Sequence, residues 1–368
     1  CSQPYHQGRP SSRLGSPEPE SRSMNIEKTK SPAVARSMEC GTVIEPGVFR
    51  LETRALPEDA PDGWVLVDIE AVGICGTDYH ILEGKHPFLN YPRVIGHELS
   101  GRVAESVGPL TAGELVVVNP YLSCNACRAC TKGKPNCCSS IEVLGVHRDG
   151  GMCSRIAVPQ QNLYPATGLT ELQAAMVEFL AIGAHAVRRA ALSADDRVLV
   201  TGAGPIGIGT ALFARLSGAE VHLLDMSQTR LAQATEKFGF KNTHLVGTDI
   251  LSGPLQDGFD VIFDATGNAA AIEAGFPLLA HGSRYVLVSV VKETISFSDP
   301  EFHKRETQII GSRNATREDF ETVMSAIRSD RIDTDALCTL TVRLEDLPAK
   351  IKELATDREA LIKAIVTL

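Results

Sequence analysis

The rhythm of apolar and polar positions changes near residue 170. Before that point, from about Cys40 to Pro165, apolar residues gather in short runs broken by Gly and Pro. VFRLETRALP, WVLVDIEAVGI, RVIGHELSGRVAES, LVVVNPY and MCSRIAVP are each of strand size. This half reads as all-β and rich in loops. From Glu171 onward, helix-length and strand-length segments alternate. ELQAAMVEFLAIGAHAVRRAAL predicts a helix and RVLVTGAG a strand; PIGIGTALFARLSG and AEVHLLD repeat the pair. QTRLAQATEKFG and FDVIFDAT follow, then NAAAIEAGFPLLA and RYVLVSVV. Strands this continuously apolar, with helices between them, predict a parallel sheet covered on both faces. After Ser312 the pattern is mixed again, and this tail is read as folding back onto the first half. The expected fold class is α/β plus β. The expected bounds are 38–170 for the β domain, 171–312 for the α/β domain and 313–368 for the return.

Residues 1–37 stand outside this pattern. They are rich in Ser, Pro and Arg without apolar periodicity, and a disordered tail is expected. Met24 and Met38 both remain open as natural starts, while Glu18, Glu20 and Glu27 count against a transit peptide. A chain of 368 residues predicts two domains rather than one. Its formal charge of -9 offers no basic surface to nucleic acid or an anionic membrane. No apolar run nears the ~20 residues of a spanning helix. Cys1, Cys40, Cys75, Cys153 and Cys338 are scattered, and neither a secretory leader nor a disulfide framework is expected. A cytoplasmic, reducing setting is expected, in which thiolates are free to bind metal.

VLVTGAGPIGIG places Gly202, Gly204 and Gly207 in a G-x-G-x-x-G spacing, leaving an apolar strand and opening a helix. In that context the glycines allow a tight turn, close approach of backbone to a pyrophosphate, and helix–strand packing. The helix N-terminus then faces the phosphates. Asp225 ends the next strand, where a carboxylate bonds ribose hydroxyls. The following MSQT holds no cation for a 2′-phosphate, which favours NAD over NADP, and Arg230 is read as bordering the adenine.

SCNACRACTKGKPNCC spaces Cys124, Cys127, Cys130 and Cys138 as C-x2-C-x2-C-x7-C. Four thiolates close a tetrahedral zinc shell and leave no position for a substrate. A ferredoxin run would bring its fourth cysteine after three residues and follow it with proline. Here Ser139 follows, and Cys137 is read as an unligated neighbour. A reactive metal needs three protein ligands and an open position. GICGTDYH offers Cys75, Thr77, Asp78 and His80; IGHELSG offers His97 and Glu98; AMVEFLA adds Glu178.

With GICGTDYH, GHELSG, the four-cysteine loop, VEFLAIGAHAV and VTGAGPIG in this order, the chain resembles the zinc-dependent medium-chain alcohol and polyol dehydrogenases over roughly residues 40 to 368. The resemblance implies a GroES-like catalytic domain, a doubly wound Rossmann domain, and an active site in the cleft between them. It implies Cys75, His97 and Glu178 as catalytic zinc ligands, and Glu98 as an acid that exchanges with water at that zinc. Thr77 and His80 match the proton-relay positions, and Asp78 the carboxylate that orients His97. Cys124, Cys127, Cys130 and Cys138 match the structural site, giving two zinc ions per chain. Cofactor contacts are expected from Gly202, Gly204, Pro205, Ile206, Gly207, Asp225, Arg230, Thr266 and Ser289. Homodimers or homotetramers through the Rossmann sheet edge are implied as well.

Two departures concern scaffold rather than ligands. The glycine usually found after the GHE-x2-G motif comes one position late, at Gly108, and GMCSRIAVP lacks the acid and tyrosine of many relatives. For the substrate, GVHRDGG and SDPEFHKRETQIIGSRNATREDF most resemble bacterial hexonate 5-dehydrogenases, acting on L-gulonate, L-galactonate or L-idonate. A sugar acid needs a cation for its carboxylate, and Arg313, Lys292 and His303 are the candidates. Sorbitol- or threonine-dehydrogenase-like activity and a non-catalytic, zinc-stabilised NAD-binding protein are the alternatives.

Overall fold

A computed structural model describes residues 36–86, 89–359 and 361–368. The expected disordered tail lies outside these residues except for its last two positions. The apolar runs of the first half become a seven-stranded sheet in which Leu163–Pro165, Leu115–Val118, Glu98–Val103 and Trp64–Ile74 lie side by side. Lys363–Thr367 continues the sheet antiparallel to Trp64–Ile74, and Cys338–Arg343 follows it at the edge. Residues from both ends of the described sequence therefore build one sheet. The VFRLETRALP run is the strand Val48–Ala55, paired with Ser37–Glu45, a strand of mixed polarity that periodicity does not single out.

RVIGHELSGRVAES is not one strand. Arg93–Val94 joins the small sheet and Glu98–Val103 the large one. Between them the backbone N–H of Gly96 donates to the Asp78 carboxylate at 3.2 Å instead of to a neighbouring strand. ELQAAMVEFLAIGAHAVRRAAL likewise divides, into helices Glu171–Ala175 and Val177–Ala190 that meet at Met176. Thr170 and Gln173 form a capping box that sets the start of the first.

The second half forms a six-stranded parallel sheet. Numbered along the chain, its strands lie in the order 3-2-1-4-5-6: Asn242–Leu245, Glu220–Asp225, Arg197–Thr201, Phe259–Asp264, Leu279–Leu287 and Gln308–Gly311. Alternation along Arg197–Thr201 sends Val198 and Val200 into one apolar cluster and Leu199 into another, so both faces are covered. The strand order reverses between Arg197–Thr201 and Phe259–Asp264, and in such sheets that is where a crevice opens.

Candidate active site

Strand register brings the first group of side chains together. Trp64–Ile74 runs antiparallel to Glu98–Val103 with Gly73 opposite Glu98, so Cys75, just past one strand's end, meets His97, just before the other's start. A Cβ at Gly73 would stand 2.1 Å from Glu98 Oε2, so the strand has to be bare there for the carboxylate to cross it. Cys75 caps the helix Gly76–Leu82. Within that helix Asp78 takes the Cys75 N–H at 2.9 Å and the Gly96 N–H at 3.2 Å, and faces His97 Nδ1 at 3.7 Å. One buried carboxylate thus holds both segments.

Among the described residues, two groups of Cys, His and acid side chains have ligand atoms within 4.8 Å of one another. One is Cys75, His97 and Glu98. Glu178, expected from the sequence as the third ligand, lies outside that group, and its carboxylate accepts a hydrogen bond from the Tyr121 hydroxyl. Glu98 is held by Lys363, whose Nζ lies 2.7 and 2.8 Å from its two oxygens and 3.2 Å from the Ile74 carbonyl. Periodicity and motif spacing single out neither Tyr121 nor Lys363. The one available signal was a lysine set among apolar residues in LIKAIVTL.

The pocket is rich in acidic side chains. Burial, with Glu98 adding to it, raises the Glu178 carboxyl to about 7 against the opposing pull of His97, Tyr121 and Lys363. Burial disfavours a charge on His97, but Asp78, Cys75 and Glu178 outweigh it and raise its proton affinity. One soft sulfur, an imidazole and carboxyl groups form a donor set that fits zinc. Thr77 Oγ1 lies 3.9 Å from Cys75 Sγ, and His80, one helical turn on, reaches the surface. Partial burial lowers the pKa of His80; Arg358, Lys85 and Lys292 lower it further, against Glu83.

The second group is Cys124, Cys127, Cys130 and Cys138. Their sulfurs approach to 3.5 Å for Cys127 and Cys130 and 3.4 Å for Cys138 and Cys124. Backbone N–H groups of Cys124 and Cys127 donate to sulfur at 3.3 Å, as suits thiolates. Backbone hydrogen bonds push Cys127 down to about 5 and Cys124 to about 7, while burial and its thiol neighbours raise Cys130 to about 12. Four sulfurs within 4.8 Å of one another fit a closed zinc site. Cys137 is exposed and outside the group.

The glycine-rich turn sits at the crevice. Gly204 caps the helix Pro205–Leu216, with Pro205 and Ile206 in its first turn. A Cβ at Gly207 would come 1.7 Å from the Gly202 carbonyl oxygen, which is the close strand–helix approach that the third glycine permits. Asp225 accepts from the N–H of Ala203 at 2.6 Å and of Ser227 at 2.7 Å, and Arg230 Nη1 stands 4.0 Å from it. Thr266 and Ser289 both bond Asp264, at the end of the neighbouring strand. Of the three candidate substrate cations, Lys292 donates to the Lys85 carbonyl at 2.9 Å, His303 lies on the exposed helix Asp299–Arg305, and Arg313 is exposed on the turn after Gln308–Gly311.

Residues 61–168 match the alcohol dehydrogenase GroES-like domain family and residues 205–329 the zinc-binding dehydrogenase family. The chain is similar to an L-galactonate-5-dehydrogenase of Escherichia coli strain K12, with 39% identity over 83% of this chain and 92% of that protein. Among solved structures it resembles a short chain alcohol dehydrogenase from E. coli CFT073 complexed with NADH (TM-score 0.84, 28% identity, 90% of this chain and 99% of that one). It also resembles a zinc-binding dehydrogenase from Sinorhizobium meliloti 1021 bound to NADP (TM-score 0.82, 27% identity, 90% of this chain and 100% of that one).

Proposed function

The chain belongs to the zinc-dependent medium-chain alcohol and polyol dehydrogenase family, and from that premise we propose that it oxidises a secondary alcohol of a hexonate, with NAD as acceptor. The observation that carries this reading is the cluster of Cys75, His97 and Glu98, its imidazole and carboxylate buried and its sulfur half-buried. The similarity to an L-galactonate-5-dehydrogenase supports the sugar-acid class.

In this reading Cys75, His97 and Glu178 would hold the catalytic zinc, with Glu98 the carboxylate that would exchange at it, and the four loop cysteines would hold a second zinc. Bound zinc supplies Lewis-acid polarisation of the substrate oxygen, and the bound dinucleotide supplies the hydride acceptor. The chain's own residues do the remaining work. Asp78 keeps His97 oriented. The Thr77 hydroxyl takes the substrate proton and passes it toward His80, whose lowered pKa keeps the imidazole neutral, and so open to a proton it then releases readily. The turn at Gly202, Gly204 and Gly207 receives the pyrophosphate, and Asp225 the ribose hydroxyls. Arg313 meets the substrate carboxylate as a bidentate partner.

The test is NADH formation from L-galactonate, L-gulonate, L-idonate, neutral hexitols and threonine, with NADP in parallel and metal analysis of the same sample. Hexonate oxidation with NAD and about two zinc ions per chain is expected. Turnover of sorbitol or threonine without hexonates would sink the substrate assignment, a preference for NADP the cofactor assignment, and one zinc per chain the two-site assignment.

A further inference from the structure

The cysteine loop does more than enclose its own sulfurs. Asn136, in the short turn Pro135–Cys137 between Cys130 and Cys138, is buried and points away from the loop. Its side-chain amide lies 3.2 Å from His185 Nε2 and donates to the Arg313 carbonyl at 2.9 Å. The Asn136 carbonyl in turn receives the side-chain amide of Asn314 at 3.4 Å. His185 is braced from its other ring nitrogen, with Nδ1 2.9 Å from Asp319 Oδ2. Asp319 also takes the Thr316 N–H at 2.7 Å. The turn of residues 312–316 is therefore clamped at both ends, by Asn136 on one side and by Asp319 on the other. Asn314 adopts a left-handed backbone (φ 53°) inside it, a conformation that asparagine tolerates better than most residues.

Arg313 rides on this clamped turn with its side chain exposed. Its charge reaches His147, where it adds to the effect of burial in lowering the imidazole's proton affinity. His147 is near enough to His86 to act on it, together with His80, Lys292 and His97. The turn that Asn136 holds is therefore the one that presents the Arg313 guanidinium to solvent. Bidentate recognition of a carboxylate tolerates little displacement, because two parallel N–H···O bonds must be made at once.

We propose that Asn136 is a positioning residue for substrate recognition: by bonding the Arg313 carbonyl it aims the Arg313 guanidinium at the carboxylate of a sugar acid. The proposal rests on the hexonate reading above. It makes the cysteine loop the anchor of a specificity determinant.

The experiment is a kinetic double-mutant cycle on the zinc-loaded, full-length enzyme with a hexonate and its neutral hexitol analogue. Arg313→Ala tests the underlying reading, and is expected to raise KM for the hexonate while leaving the hexitol unaffected. Asn136→Ala is expected to raise KM for the hexonate about tenfold, with kcat nearly unchanged and the hexitol unaffected. Adding Asn136→Ala to Arg313→Ala should then change nothing further. If Arg313→Ala fails to separate the two substrates, the carboxylate reading falls. If it separates them and Asn136→Ala does not, or if the two effects add, the positioning role alone is overturned. Asn136→Ser keeps one donor and should give the same selective effect more weakly. Loss of zinc from both Asn136 variants would also overturn the proposal, by making Asn136 part of the loop's own fold.

Discussion

At the scale of single residues, the pocket is built from charges that are affordable only in company. Glu98 and Lys363 are both buried, at 0% and 2% exposure, and neither has water to fall back on. The lysine also sits 4.3 Å above the Phe179 ring, which accepts a cation on its face. Replacing one partner leaves the other stranded, so Lys363→Met is expected to lower stability by about 3–5 kcal/mol. Urea unfolding at neutral pH, with metal content matched, measures it. A change below about 1 kcal/mol, as for an exposed pair, would mean that the Glu98 carboxylate is balanced by something else.

At the scale of elements, the helix Val177–Ala190 carries Glu178 near its start and His185 along its length. It ends at Ala191, which is exposed and left-handed with φ 50°. Arg284 donates to the carbonyls of Ala190 and Ala191 at 2.7 and 2.9 Å, satisfying the helix end. An alanine in that backbone region costs about 1 kcal/mol relative to glycine. Ala191→Gly should therefore raise the melting temperature measurably; an unchanged or lower value would show that the Cβ is accommodated. What the sequence made legible was mostly of this local kind. The continuous apolar runs of 197–264, the glycine spacing at 202–207 and the cysteine spacing at 124–138 each carry their own geometry. What stayed hidden was decided by distant partners. Gly96 breaks its strand because Asp78, 18 residues earlier, takes its N–H. Tyr121 earns its role from a carboxylate 57 residues away, and Lys363 from one 265 residues away. No periodicity encodes such pairings.

At the scale of the whole molecule, Asp319 is the knot joining the helix Arg317–Arg328, the helix Val177–Ala190 and, through His185, the cysteine loop. Burial works to raise its carboxyl, but bonds from His185, Arg188 and the Thr316 N–H outweigh burial and hold it well below the usual range. A depressed folded-state pKa adds stability above the unfolded value of about 3.9, and that stability is lost as pH falls below it. Asp319→Asn is expected to cost about 2 kcal/mol at neutral pH, and the gap from the parent should narrow below pH ~4. A gap of the same size at every pH, followed by denaturant titration, would remove the charged network as its source.

The ion pair between Glu98 and Lys363 has one more consequence, which concerns time. Synthesis runs in one direction, and the six-stranded parallel sheet draws all its strands from residues 197–311. The sheet beside the pocket of Cys75, His97 and Glu98 draws on residues 64–165 and then waits for 338–367. On the ribosome, the half encoded first is therefore finished last. Until Lys363–Thr367 docks, Glu98 lacks the Lys363 cation, even though every strand of the six-stranded sheet has by then been synthesised.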